Sequence, residues 1–586
     1  QATKNLDLSA VMRLVFDIET DGLFDDVSKV HCIVLKDLDT KEVIKPKIKK
    51  AMQLLSEAEL IIGHNIIKYD IPVLQKLYGF YTEAKIFDTI VAARLMYPDI
   101  KDRDFRKKDF PKNLIGRHSL EAWGHRIGNY KSQIVTDWKE FTQEMLEYCV
   151  QDVEVTATLY QILTQSEQPQ ALELEHKVAQ IIYKQEQHGF SFDKASAEKL
   201  FSKLNARRLE LEEELQNIFP PIVEKTKFIP KVNNKTRGYV KGVATYKEKT
   251  VAFNPSSRMH IAQRLKEKYN WQPEEFTPDA KPKVDETVLE KLKYPEAKIL
   301  SEHFLIEKRI AQLAVGAQAW LKQEVNGRIH GNCNTNSTVT GRASHTHPNL
   351  GQVPSCVKPF GKECRQLFRA TPGKKLVGID ISGLEVRMLA HYLAKYDAGD
   401  YADVVINGDI HTKTQELAGL DSRDIAKRFY YCFLYGGGVK KIAQVTGKKV
   451  GEASKIKTRF LNNLPALNKL IKDVQRASTR GHIVGLDGRH IKVRSQHSAL
   501  NTLLQSSGAI VCKQWLVEFD KAIKRVPEVQ QVVWVHDEIQ VECEAEDAEN
   551  VGQVAVDAIV NAGAHFNLRI PLTGEYKIGE TWADTH

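Results

Sequence analysis

The sequence predicts a multidomain chain of mixed α/β and α+β class, on three observations. Its 586 residues exceed what one hydrophobic core organises, and at roughly 150 residues per domain they would form about four lobes. Over the first 165 residues short apolar strands alternate with helical patterns, which is how an α/β unit reads. The C-terminal half, from TGRASHTHPNL onward, mixes strands with long helices and contains no repeat.

Taken in order, LVFDIE, HCIVLKDL and ELIIGHN read as strands, and IPVLQKL and LEYCVQDVEVTATLYQIL as helices. From Leu172 to Leu215 apolar residues recur at helical spacing, with Glu and Lys on the other face. Residues 225–249 hold eight Lys or Arg against one Glu and read as a solvated loop or a flexible basic arm touching phosphates. In FNPSSRMHIAQRL, Ser256 or Ser257 suits a helix cap. Residues 1–11 precede Met12 and an immediate strand, and read as an expression remnant.

Composition narrows the class. With 42% hydrophobic and 27% charged residues the chain folds rather than remaining disordered, and a formal charge of +9 suits polyanions without requiring them. The eight cysteines show neither C-x-x-C pairs nor zinc spacing and read as reduced thiols. No apolar run is long enough for a membrane span.

In LVFDIET, alternation puts Asp17 and Glu19 on one face of a strand while Phe16 and Ile18 point to the core. An exposed strand face could carry such a pair, but HNIIKYD adds Asp70, and YCVQD places Tyr148 and Asp152 one helical turn apart. Four carboxylates are a ligand set for two hard divalent cations, and the tyrosine hydroxyl can orient water. Asp88, in FDT, reads as structural. The ordered set D-x-E, N-x-x-x-Y-D, Y-x-x-x-D resembles the 3′–5′ exonucleases of the DEDDy type, which cleave phosphodiesters with two metals.

A second set lies further on. KKLVGIDIS is a buried strand ending in Asp380, and QVVWVHDEIQVEC is an apolar hairpin carrying Asp537 and Glu538 at its middle. Burying such acids costs several kcal/mol without a partner; Asp380 beside Asp537 around Mg²⁺ removes that cost, although Asp380 alone could be a helix cap. Between them, DSRDIAKRFYYCFLYGGG aligns Arg423, Lys427 and Tyr431 on one helical stripe. Cations for a triphosphate thus precede an aromatic ring for a base.

The Asp380 strand, the R-x-x-x-K-x-x-x-Y-x-x-x-Y-G helix and the VHDE hairpin resemble, in order, the polymerase motifs of family A DNA polymerases. TGRASHTHPNL, NGDIHT, FLYGGG and GLDGRHIKVRSQHSALNTLLQSSGA most resemble replicative members of short-tailed bacteriophages. The resemblance implies an RNase H-like 3′–5′ exonuclease domain at 12–165 followed by a right-hand polymerase. Its thumb and connecting region would span 166–345, its palm 346–395 and 493–586, and its fingers 396–492. It implies two Mg²⁺ per active site, with Mn²⁺ able to substitute. Asp380, Asp537 and Glu538 would be catalytic, and Lys427 would assist the leaving pyrophosphate. His411, Arg423 and Lys427 would hold the phosphates, Tyr431 the base, Glu385 would exclude ribonucleotides, and Tyr435 would lie near the templating base. Arg342, His497, Asn501 and Gln505 would read the primer-template minor groove, the last three from one helix face. Tyr431, where many members have Phe, implies ready use of dideoxynucleotides.

The implied partners are primer-template DNA, deoxynucleoside triphosphates and a phage helicase-primase, for a monomer in the host cytoplasm. A host thioredoxin is not expected, because the stretch between Phe219 and Val251 is short; that basic segment would hold DNA itself. Other readings are a bacterial repair-type polymerase, a nuclease whose second half only grips DNA, and a non-enzymatic nucleic-acid-binding protein.

Overall fold

A computed structural model describes residues 12–129 and 137–586; the expression-remnant reading of residues 1–11 falls outside them. Two compact units emerge. Of the described residues, one comprises those up to 190 with 330–352 and 370–586, the other residues 191–329 and 353–369.

In the first unit, β1 (Arg13–Thr20), β2 (Val30–Asp37), β3 (Val43–Ile44), β4 (Leu60–Gly63) and β5 (Lys85–Asp88) form a mixed sheet of order β3-β2-β1-β4-β5. β1 runs antiparallel to β2 and parallel to β4. Helix α1 (Asp70–Tyr78) follows β4, and α2 (Gln143–Leu163) buries Cys149, Val153 and Ala157 against Val15, Val34 and Ile62 of the sheet.

The helical spacing over 172–215 resolves into two helices. α3 (Pro169–His188) ends where Gly189 takes φ +70°, a conformation glycine adopts without strain, and Lys194–Ile218 begins a new helix capped by Asp193.

Short strands β6 (Asn332–Asn334) and β7 (Ser344–Thr346) pair as a hairpin. A four-stranded antiparallel sheet then forms from β8 (Lys375–Ile381), β11 (Gln530–Val535), β12 (Glu538–Cys543) and β13 (Gly574–Gly579), in the order β11-β12-β8-β13. Between β8 and β11 lie α4 (Leu384–Asp397), α5 (Ile410–Ala418), α6 (Arg423–Leu434), the small hairpin β9 (His482–Val484) and β10 (His490–Lys492), and α7 (Ala499–Ile523). Helix α7 is buried on nearly every side, packs on α8 (Ala548–His565), and ties Trp515 Nε1 to the Ala555 carbonyl at 3.0 Å. Fully burying one such apolar side chain stabilises by about 1.5–3 kcal/mol, so α7 is the central rod of this unit.

In the second unit the basic segment is a loop, residues 229–244, carried between two paired strands. Ile222–Phe228 and Thr245–Val251 pair antiparallel over their full length, and the central residues of both strands are exposed. The Thr and Tyr residues among the lysines suit a strand, a preference that the charge run hid. Ser257 caps the helix Arg258–Tyr269 by accepting from the His260 N–H.

Candidate active sites

At the first site Asp17 and Glu19 leave one face of β1, Asp70 opens α1, and Tyr148 and Asp152 stand a turn apart on α2. All five line one cleft with Lys68, Trp138 and Asn332. Carboxylate oxygens of Asp17 and Glu19 and the Cys149 sulfur lie within 4.8 Å of one another. Burial, followed by a hydrogen bond with Cys32, pushes the Cys149 thiol well above its ordinary range, so it stays protonated and donates to the Asp17 carbonyl at 3.3 Å. Cys149 therefore braces β1, a role its scattered place in the sequence did not announce.

Burial pushes Asp70 up to about 7, with the charges of Asp88 and Asp152 adding to it. The Tyr69 hydroxyl, 2.5 Å from Thr20 Oγ1, donates to the Gly22 carbonyl at 2.6 Å and fixes the turn before Asp70. Trp138 meets Tyr148 edge-on at 6.1 Å. Asp88 lies outside this lining: buried, it accepts the Asn65 N–H at 2.8 Å and the Ile67 and Ile90 N–H groups at 3.1 Å, capping the next helix.

At the second site, register alone joins distant residues. Asp380 on β8 faces Glu538 on β12 and Glu575 on β13, and Asp537 occupies the turn between β11 and β12. Asp380 keeps solvent access, yet loss of hydration and then the charges of Asp537 and Glu538 push it up to about 7. Asp537 is pushed up to about 6 by burial and by Glu385. Both acids resist ionising together, and their donors are oxygens, which fits a hard divalent cation.

Glu538, opposite Asp380, is surrounded by donors. Its oxygens accept from Trp582 Nε1 and Gln540 Nε2 at 2.6 Å, and lie 3.0 Å from His586 Nδ1. Burial alone would raise its carboxyl, but His586 and the other donors hold it below the usual range. Its partners thus make it an anchor for the C-terminal segment, held on the strand position opposite Asp380.

A pocket of about 240 Å³ beside Asp537 is lined by Arg342, Glu385, Tyr435, Cys512, Trp534 and His536, among others. Glu385 Oε1 accepts from the Tyr435 hydroxyl at 3.2 Å and lies 3.5 Å from Arg342 Nη2. On α6, Arg423 and Lys427 are exposed and Tyr431 half-buried. The His411 ring lies 5.7 Å from Tyr431, and Tyr431 stacks on Tyr435 at 6.4 Å. Asp409 caps α5 and pairs with Arg423 at 2.5 Å.

The shared helix face expected for His497, Asn501 and Gln505 is only partly formed. His497 sits in a 3₁₀ turn ahead of α7, whereas Asn501 Nδ2 donates to the Leu434 carbonyl at 2.5 Å, joining α7 to the end of α6.

Two carboxylate-lined clefts, one on a mixed α/β sheet and one on an antiparallel sheet faced by a cationic and aromatic helix, define an enzyme of phosphodiester chemistry with two sites. The sequence pattern described as DNA polymerase family A matches residues 228–584, and that described as 3′–5′ exonuclease matches residues 7–167. The DNA-directed DNA polymerases of Escherichia phage T7 and Enterobacteria phage T3 are each 36% identical over 704 aligned positions, covering 98% of this chain and all of each relative. The POL domain of Pol1 from M. smegmatis, solved in complex with DNA primer-template and dNTP, shares the fold at a TM-score of 0.75 and 18% identity, over 97% of this chain and 96% of that one. The chain belongs to DNA polymerase family A. It is a DNA-directed DNA polymerase with a 3′–5′ exonuclease domain, and such polymerases and exonuclease domains use divalent metals. Among the described residues no helix is long and apolar enough to cross a membrane.

Proposed function

We propose that the chain replicates phage DNA, extending a primer 3′ hydroxyl at the Asp380–Asp537 cleft and removing mispaired ends at the Asp17–Glu19 cleft. Residues 12–165 make up the exonuclease, 166–345 the thumb and connecting region, 346–395 and 493–586 the palm, and 396–492 the fingers. Asp380 and Asp537 would hold Mg²⁺ for synthesis, and Asp17, Glu19, Asp70 and Asp152 for excision, with Mn²⁺ as a substitute. When bound, the ions supply Lewis acidity at the attacking and leaving oxygens.

The chain's own groups do the rest. Arg423, Lys427 and His411 receive the triphosphate of an incoming deoxynucleotide, with Arg423 exchanging Asp409 for phosphate, and Lys427 delivers a proton toward departing pyrophosphate. Tyr431 stacks on the base, Tyr435 marks the template side, and Glu385 fills the space a 2′ hydroxyl would need. Arg342, His497, Asn501 and Gln505 hold primer-template DNA. In the excision cleft the Tyr148 hydroxyl orients water.

The 222–251 hairpin grips duplex DNA electrostatically. Its lysines stand on both faces, and a two-stranded ribbon gains little stability on its own. A host thioredoxin has no evident place in this reading. A helicase-primase partner, a monomeric state and action in the host cytoplasm remain part of it.

The observation that carries the reading is the convergence of Asp380 and Asp537 from strands 157 positions apart in sequence. The test is a pair of variants. Asp537→Ala should abolish primer extension and spare single-strand degradation, and Asp17→Ala with Glu19→Ala should do the reverse; loss of both activities in either variant would count against two separate sites.

A further inference from the structure

Helix α3 belongs to neither cleft, yet it touches the chain that lines both. Glu175 and Glu186 stand eleven residues apart on it, close to three helical turns, and so project from one stripe. Both are largely or fully buried, and each uses a single oxygen to join two other segments.

At one end Glu186 Oε1 accepts from Lys68 Nζ and from the Cys333 N–H, both at 2.7 Å. Lys68 Nζ also donates to Asn332 Oδ1 at 3.2 Å, and Lys68 and Asn332 both line the excision cleft. At the other end Glu175 Oε1 accepts from Lys513 Nζ at 2.5 Å and from Arg489 Nη1 at 2.8 Å. That guanidinium packs under Gly341: a β-carbon there would come within 2.8 Å of Arg489 Nη1, and φ is +75°. Arg342, the next residue, lines the synthesis cleft. The β6–β7 hairpin is thus one strap, with Asn332 in the excision cleft, Arg342 in the synthesis cleft, and α3 fastened beneath both.

We propose that Glu186 is a positioning residue for both reactions: it holds Lys68 in the excision cleft and, through Cys333, sets the register of the strap that presents Arg342 to the primer end. The charge on Glu186 serves Lys68, whereas any acceptor at that position serves the Cys333 N–H. The two roles are therefore separable.

The test uses the full chain. Single-strand hydrolysis is measured for kcat and KM, and extension from matched and mispaired primer ends is measured in an Asp17→Ala background. Glu186→Ala should raise the hydrolysis KM on the order of tenfold, the scale of one charge-assisted hydrogen bond, with kcat within about twofold because no metal-facing carboxylate moves. It should also lower the matched-to-mispaired extension ratio about fivefold, the scale of one ordinary hydrogen bond. Glu186→Gln should restore the extension ratio and leave the hydrolysis KM high. An unchanged extension ratio in Glu186→Ala, or a proportional loss of both activities with a lowered Tm in both variants, would overturn the inference. Should Glu186→Ala not fold, an unmoved hydrolysis KM in Glu186→Gln does the same. The inference rests on the two-cleft reading, whose own failure is distinct: hydrolysis would then survive Asp17→Ala.

Discussion

The Ile381 N–H donates to the carbonyl of Asp537 at 3.0 Å. One backbone hydrogen bond thereby fixes the end of β8 against the turn of the β11–β12 hairpin and puts Asp380 and Asp537 side by side before any cation arrives. Asp380 ends a strand and Asp537 sits in the adjoining turn, so the backbone keeps the two acids close enough for the charge of Asp537 to act on Asp380.

That repulsion has a pH signature. Asp380, pushed up to about 7, and Asp537, pushed up to about 6, lie above the ordinary carboxylate range. Between about pH 4 and pH 7 the metal-free folded chain therefore holds protons that the unfolded chain has released, and the stability contribution of these groups falls as pH rises. A divalent cation bound between them would displace those protons. The rise in Tm on adding Mg²⁺ should grow from about pH 5 to about pH 8 and shrink in Asp380→Asn with Asp537→Asn. A shift that is flat with pH, followed by scanning calorimetry, would contradict this.

Glu538 should behave as a structural residue. Glu538→Ala removes the carboxylate to which the buried Trp582 and Gln540 donate, at a cost of about 1–3 kcal/mol for each bond lost. Thermal unfolding should show the loss, and Glu538→Gln should recover part of it. Full stability with lost synthesis would instead restore Glu538 to the chemistry.

Tyr431 should set the response to dideoxynucleotides. Its hydroxyl can supply a hydrogen bond that a missing 3′ hydroxyl no longer makes, so Tyr431→Phe should raise discrimination against dideoxynucleotides roughly tenfold, the scale of one such bond. Chain-termination ladders measure it directly.

The lysine hairpin should show itself through salt. Replacing Lys227, Lys247 and Lys249 with Gln should flatten the dependence of log affinity for duplex DNA on log salt by about 0.9 per lost phosphate contact. Incorporation at saturating DNA should be unaltered. An unchanged slope in fluorescence-anisotropy titrations would remove the hairpin from the DNA path.

Much of this was legible in the residues themselves. The strand periods around Asp17, Asp380 and Asp537 survive in the structure because apolar alternation sets register wherever one face is buried. The Arg423–Lys427–Tyr431 stripe survives because α6 is a regular helix capped by Ser422. What escaped was tertiary. Nothing in the local sequence says that Cys149 would brace β1, that Glu538 would turn to Trp582, or that Asn332 would enter the excision cleft. Each depends on a partner more than 40 positions away, where composition carries no signal. The 222–251 hairpin escaped for the opposite reason, a local charge run masking a modest strand preference.

The eleven-residue spacing on α3 carries a consequence for how this enzyme tolerates change. Point substitutions on the outer face of that helix should be nearly free, but inserting or deleting a single residue between Glu175 and Glu186 would swing one of them by about 100° around the axis. The helix is thus indifferent to spelling and intolerant of miscounting, and natural variation there should be rich in replacements and almost devoid of length changes.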